Sequence, residues 1–216
     1  MSPGITKDDF GRMIAEAAAQ IRAHHVTLSE LDCASGDGDH GATMLRAVER
    51  LEQAFAPASM QDMRTSLKQA GWSVLGVDGG ASSSLLGVFF SGMANASACD
   101  PPFDAKDLAA IFEAGLAAVQ RQTKAQPGDK TMMDALVPAI WAMRAAADNG
   151  KSAIDTLRDA AEAARAGAEA TRNLTARHGR AKFLGEKTRG HVDPGAASMS
   201  LLFEGFYSGL AGRKEN

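Results

Sequence analysis

Leu31-Asp32-Cys33-Ala34-Ser35-Gly36-Asp37-Gly38-Asp39-His40-Gly41 is the stretch on which the fold class turns. Its Gly36-x-Gly38-x-x-Gly41 matches the letters of the dinucleotide-binding fingerprint, which belongs between a strand and a helix of an α/β fold. No strand pattern precedes it, and Asp37 and Asp39 would face the pyrophosphate, so the match fails. The EF-hand pattern fails too, because Gly41 stands where a third ligand belongs and no acidic residue closes the loop. What remains is three aspartates, Asp32, Asp37 and Asp39, in one glycine-rich turn. Carboxylates about 4 Å apart repel by roughly 4 kcal/mol per pair in a partly screened site. A folded chain keeps such a cluster with a proton or a cation between the charges. Hard cations such as Mg²⁺ take oxygen ligands and share one or two carboxylates with a substrate phosphate. Taken alone, the stretch reads either as an acidic surface turn or as a metal-bridged phosphate site.

Outward from this turn the periodicity is helical, with no period-2 strands. Apolar stripes run through Phe10–Ile21, Met44–Phe55, Met63–Val74, Leu85–Met93, Leu108–Val119, Met133–Trp141, Ile154–Ala168 and Leu201–Leu210. Pro57, Gly79-Gly80, Pro101-Pro102, Pro127-Gly128 and Asn149-Gly150 supply stops, and Asp193-Pro194 reads as an N-cap with proline in the first helical position. Eight helices packed antiparallel in one all-α domain over residues 1–216 follow. The polar, glycine-rich segments, residues 31–43, 78–84, 123–132 and 178–196, are alternate connections between these helices. In an antiparallel arrangement alternate connections share an end, so all four are expected on one rim.

The bulk properties exclude several classes. The chain has 216 residues, 23 Lys+Arg against 26 Asp+Glu and a net charge of −3. So balanced a chain offers no electrostatic case for nucleic acid or an anionic membrane as partner. Cys33 and Cys99 lie in no CxxC pair and read as reduced thiols. The first ten residues lack the basic and apolar blocks of a signal peptide, and Leu85–Ala96 is too short and interrupted to span a bilayer. A cytoplasmic location is expected.

The remaining rim segments carry candidate anion contacts. Gly79-Gly80-Ala81-Ser82-Ser83-Ser84 opens the fourth helix, where free N–H groups seat an anion, or where a serine simply caps the helix. In Pro127-Gly128-Asp129-Lys130-Thr131-Met132, Asp129 is a candidate N-cap of the sixth helix, and Lys130 is expected to reach phosphate or lie in solvent. Met132 or Met133 suits either the core or a flat adenine ring. Residues 177–195 form a long basic loop, a solvated face or a cationic cover for phosphates.

Five ordered motifs resemble those of the L subunit of dihydroxyacetone kinase, the nucleotide-binding half of such kinases. They are Leu31-Asp32 with Gly36–Gly41, Gly79–Ser82, Pro127–Met132 with Asp134, Gly179–Ala181 with Leu184–Glu186, and Gly190-His191 with Asp193–Ala196. The resemblance implies a barrel of eight antiparallel helices with the nucleotide and Mg²⁺ site at one rim. It implies two Mg²⁺ on Asp32, Asp37 and Asp39, bridging the phosphates of ATP or ADP. His40, Gly41, Ala42 and Thr43 would border the nucleotide, and Ala81 and Ser82 would contact phosphate. Met132 would touch adenine with Thr123 near the base, while Arg180 and the Asp193-Pro194-Gly195 turn would close over the nucleotide. Ser83 and Thr123 stand where the family often has glycine. The resemblance further implies a separate K subunit holding dihydroxyacetone, or a related ketose such as erythrulose; no side-chain base on this chain need then take the substrate proton, a task for the partner. The donor is then exchanging ATP, or a fixed ADP recharged by a phosphotransferase-system phosphocarrier. A metal-dependent phosphohydrolase and a nucleotide-sensing regulator are the competing functions.

Overall fold

The computed structural model describes residues 4–34, 36–56, 62–96 and 101–213; Ser35, Pro57 and Cys99 lie outside them. Eight α-helices account for the architecture among these residues: α1 (Lys7–Cys33), α2 (His40–Phe55), α3 (Met63–Leu75), α4 (Ala81–Met93), α5 (Ala105–Gln122), α6 (Met133–Asp148), α7 (Ala153–Ala170) and α8 (Pro194–Ala211). Each helix packs on the next, and α8 returns to α1, so the ring closes as the expected all-α barrel. The only β element described is an isolated bridge between Ile5 and Phe103.

Closure depends on residues without side chains. A Cβ on Gly205 of α8 would lie 2.2 Å from the Cα of Ala17 in α1, and one on Gly209 would lie 2.6 Å from the Cα of Met13. The two backbones touch there, a distance no larger residue permits. Inside the ring, Phe112 of α5 meets Phe203 and Phe206 of α8 across the barrel, with ring centroids 5.9 and 5.6 Å apart. Phe89 of α4 joins the cluster edge-on, so buried, interlocked aromatics sit inside the ring. No described helix is long and apolar enough to cross a membrane.

Two helices depart from the expected stripes. Trp141 of α6 is 65% exposed. Each i,i+4 step over-rotates by about 40°, so residue 141 lies about 80° round the helix from residue 133. The buried arc instead follows Met133, Leu136, Ile140, Met143 and Ala147. Ile154, in the first turn of α7, is also exposed, while Leu157, Ala160, Ala161 and Ala164 are buried. The first polar connection is shorter than residues 31–43, since α1 continues to Cys33 and α2 begins at His40.

The helix starts differ between the two rims. At one rim α1, α3, α5 and α7 are all capped by side chains, those of Thr6, Asp62, Asp104 and Ser152. At the other, α2, α4 and α6 begin at Asp39, Gly80 and Met132 with no side-chain cap, and only α8 has one, from Asp193. The second rim carries the four polar connections.

Gly205→Ala tests the closure. In an exposed helix this change would add about 1 kcal/mol of stability. Here the added methyl meets backbone, and an overpacking loss of about 1–3 kcal/mol is expected in urea unfolding. A midpoint equal to or above that of the parent would contradict the packing described.

Candidate functional site

A cavity of about 380 Å³ opens at the polar rim, and all four connections contribute to its wall. Asp32, Gly36, Asp37, Asp39, His40 and Thr43 come from the end of α1 and the start of α2. Gly80–Ser83 and Leu85 come from α4, Thr123, Ala125 and Lys130–Met133 from the α5–α6 connection, and His178–Ala181 with Asp193–Gly195 from the α7–α8 connection. The shared rim expected from helix parity is therefore present. Gly195 marks where three connections meet: a Cβ there would lie 3.0 Å from Ser82 Oγ and 3.4 Å from Met132 Cβ.

The acidic cluster sits on one wall. Asp32, Asp37 and Asp39 each present a carboxylate oxygen within 4.8 Å of the others. Asp32, on the last turn of α1, is half-buried and accepts the His40 N–H. Gly36 lies over its carboxylate; a Cβ there would fall 2.2 Å from Asp32 Oδ1. Glycine there leaves the Asp32 carboxylate its observed position at the cavity wall. Asp39 begins α2 without spending its side chain on the helix. An all-oxygen donor set with an open face fits a hard divalent cation such as Mg²⁺. Asp37 meets the Arg180 guanidinium across the cavity, and that bond holds its carboxyl below the usual carboxylate range.

The start of α4 forms another part of the wall. Gly80 offers no cap, and Ser83 turns its hydroxyl back to the Gly80 carbonyl at 3.0 Å. The start of α4 lines the cavity with its first N–H groups claimed by no capping side chain, and the positive end of the helix dipole lies behind them. Leu85, Ala125, Met132 and Met133 form an apolar part of the wall beside this anion seat, a shape that accepts a flat ring.

The rest of the wall is held by a buried polar frame. His40 is buried, with Nε2 3.1 Å from Ser198 Oγ. Burial lowers its pKa, against the pull of Asp32 and Asp39. Asp134 accepts the N–H groups of Gly128 and Thr131 at 2.6 and 2.7 Å, which shapes the turn into α6. Asp193 accepts the Ala196 N–H at 2.7 Å. It keeps some exposure at the cavity wall, but the surrounding protein strips water from the carboxyl and pushes its pKa up to about 7.

The expected site residues are largely brought together. His40, Thr43, Ala81, Ser82, Thr123, Met132, Arg180, Asp193, Pro194 and Gly195 line the cavity with the three aspartates. Gly41 and Ala42 do not. Gly41 lets α2 approach α1, since a Cβ there would lie 1.9 Å from the His25 carbonyl oxygen, and Ala42 is exposed.

Two expectations for the α5–α6 connection are corrected. Asp129 does not cap α6. The helix starts three residues later, and the Asp129 carboxylate accepts from Gln126 N–H at 2.9 Å and lies 3.1 Å from His178 Nε2. Lys130 is neither solvated nor aimed at the anion seat: it is buried, and its Nζ donates to the Thr171 and His191 carbonyls. Leu85, Ala125 and His178 were not legible as wall residues. Leu85 reads as one more apolar residue of its stripe, and Ala125 and His178 carry no motif.

The Asp193 carboxyl links stability to pH. Its folded pKa, about 7, lies above the ordinary 3.8. Below the lower value it is protonated whether folded or not and costs nothing; above the higher value its charge is buried at full cost. Asp193→Asn keeps a capping side chain and removes the charge. The ligand-free variant is expected to gain on the parent in melting temperature as pH rises from about 4 to about 8. A difference independent of pH would contradict the raised pKa.

Comparison with known proteins places this geometry. A family model described as the DAK2 domain matches residues 34–208. The ADP-binding subunit DhaL of PEP-dependent dihydroxyacetone kinase 1 from Listeria innocua is 36% identical over 197 residues, 91% of this chain and 93% of its own. The Escherichia coli ADP-binding subunit DhaL is 35% identical over 177 residues, 82% of this chain and 84% of its own. The L-erythrulose 1-kinase of Mycolicibacterium smegmatis is 36% identical over 194 residues, 88% of this chain but 34% of that protein. The dihydroxyacetone kinase of C. freundii, solved with AMP-PNP and Mg²⁺, superposes with a TM-score of 0.70 at 25% identity over 92% of this chain and 33% of that one. The chain thus spans about a third of the length of that kinase. With its helical ring, four-loop cavity and acidic turn, the chain belongs to the DAK2-domain family, alongside the DhaL subunits of dihydroxyacetone kinases.

Proposed function

We propose that this chain is the nucleotide-binding, phosphoryl-transferring component of a dihydroxyacetone-type ketose kinase. The observation that carries the reading is the meeting, in one cavity, of a three-carboxylate cluster with the side-chain-free start of α4. A nucleotide's phosphates need both a cation shared with carboxylates and a set of N–H donors. Phosphoryl transfer asks the protein chiefly for positioning and charge neutralisation, and this wall is built for both.

In this reading Asp32, Asp37 and Asp39 hold Mg²⁺, which supplies neutralisation of phosphate charge. The N–H groups of Ala81, Ser82 and Ser83 bind phosphate oxygens, while His40 and Thr43 border the phosphates. Met132, with Leu85 and Ala125, seats the base, and Thr123 lies at its edge. Arg180, reaching in from the α7–α8 connection, adds a cation over the phosphates, and the Asp193-Pro194-Gly195 turn closes the far side. In this reading no side chain of this chain need act as general base, and the acceptor hydroxyl loses its proton to a group on the ketose-carrying partner. By likeness to the DhaL subunits, that partner is a K-type subunit holding dihydroxyacetone or a relative such as erythrulose. The relatives also frame the donor, because the Listeria and Escherichia proteins are PEP-dependent ADP-binding subunits. Native mass spectrometry of the freshly purified chain separates the two donor types. Retained ADP identifies a fixed coenzyme recharged by a phosphocarrier, and an empty site that fills reversibly with ATP identifies an exchanging kinase.

Asp39→Asn, and separately Asp37→Asn, is expected to weaken Mg²⁺-dependent ADP binding by at least about tenfold in calorimetric titration. Parent-like affinity in both variants would remove the basis of the proposal.

A further inference from the structure

The α7–α8 connection leaves the barrel at Thr171 and returns at Asp193, and between them it carries Arg180 across the cavity to Asp37. Its neck is tied by Arg172 and Gly190: the Gly190 N–H donates to the Arg172 carbonyl at 2.8 Å, and the Arg172 guanidinium donates to the Gly190 carbonyl at 3.0 Å. What holds this neck against the barrel is a pair of residues from a different connection. Lys130 Nζ donates to the Thr171 carbonyl at 2.7 Å, where the segment leaves α7, and to the His191 carbonyl, where it returns. Thr171 extends the brace, because its hydroxyl oxygen accepts the Asp193 N–H at 2.9 Å. Next door, Asp129 takes the segment's first turn. Its carbonyl accepts the Arg177 N–H at 3.1 Å, and its carboxylate lies 3.1 Å from His178 Nε2 and 3.5 Å from the Arg177 guanidinium.

Two features separate Lys130 from an ordinary interior lysine. Its ammonium is buried, and desolvation lowers its pKa against the pull of Asp193 and Asp134. Its backbone has φ of 60°, the only positive φ on a non-glycine residue among those described. A lysine in that region is costly and persists where surrounding contacts over-determine it. Glycine would satisfy the turn more cheaply, so the side chain accounts for the residue: its ammonium bridges a carbonyl at each end of the segment.

Resting on the nucleotide-binding reading above, we infer that Lys130, seconded by Asp129, is a positioning residue that sets the 177–191 segment so that Arg180 reaches the phosphate site. Lys130 touches neither nucleotide nor acceptor; it acts through Arg180. The effect is on nucleotide residence, because Arg180 is the one cation this segment sends to the acidic cluster in the structure.

The test is the dissociation rate of a fluorescent ADP analogue, chased with excess ADP in the presence of Mg²⁺, for Lys130→Met, Arg180→Gln and the double variant. Each single change is expected to speed release by about tenfold, and the double variant to release no more than about twofold faster than either single, because both act on one interaction. Asp129→Asn, at a largely buried position on the connection rather than in the barrel core, serves if Lys130→Met fails to fold; it is expected to speed release in the parent and to change little once Arg180 is gone. A lysine with a merely structural role would lower the melting temperature and leave release unchanged. Multiplicative effects in the double variants, or parent-like release from folded Lys130→Met or Asp129→Asn, would overturn the inference. Failure of the parent chain to bind the analogue with Mg²⁺ would instead sink the nucleotide-binding reading itself.

Discussion

Three like charges held within 4.8 Å of one another are the constraint from which the rest of this structure is best understood. Asp32 cannot retreat, because it belongs to the last turn of a 27-residue helix that is anchored along its length. Asp39 cannot retreat, because it begins α2, whose first turn is pressed onto α1 through Gly41. Asp37 sits on the six-residue bridge between them, and Gly36 leaves the Asp32 carboxylate its observed position. The repulsion is therefore built in by the packing of α1 against α2, and in the structure a guanidinium answers part of it. A binding site of this kind is prepaid in folding: the cluster waits for positive charge.

The barrel around it serves the same end. Glycine contacts bring α8 onto α1 and close the ring, and an aromatic cluster fills its centre, so the four connections at the rim hang from a rigid frame. The asymmetry of helix caps then becomes intelligible. The rim away from the site satisfies its helix starts with Thr6, Asp62, Asp104 and Ser152, as stability favours. At the site rim α4 starts without such a cap, and its positive end remains available to an anion, whereas the first N–H of α2 is taken by Asp32 and that of α6 by the Thr131 hydroxyl. Stability forgone at the start of α4 is the counterpart of the strain at Lys130 and the buried charge of Asp193 on that same rim.

Most of this was legible from residue order. Helical periodicity identifies eight helices, and counting connections places four polar segments on one rim before any coordinates exist. The acidic turn and the Gly79–Ser82 segment announce their chemistry through residue type alone. What escaped has a physical reason in each case. Trp141 sits where helical over-rotation carries an apolar stripe out of the core, a drift invisible to a short list of apolar positions. Lys130 looks like any loop lysine, because its role depends on carbonyls that lie 41 and 61 residues away in sequence. Asp129 resembles a helix cap, but the turn after it adopts positive φ and postpones the helix to Met133. Gly41 belongs to the resemblance as a nucleotide neighbour, yet its close approach to the His25 carbonyl gives it a packing role that no linear motif encodes.

A crystal structure of the chain grown with Mg²⁺ and ADP is the most direct test of the central claim, that three carboxylates and the uncapped start of α4 were brought together to grip a phosphate chain. The account requires metal density bounded by Asp32, Asp37 and Asp39, with the terminal phosphate of ADP between that density and the N–H groups at the start of α4. Carboxylates turned to solvent with no ion among them, or a nucleotide bound away from this rim, would contradict it.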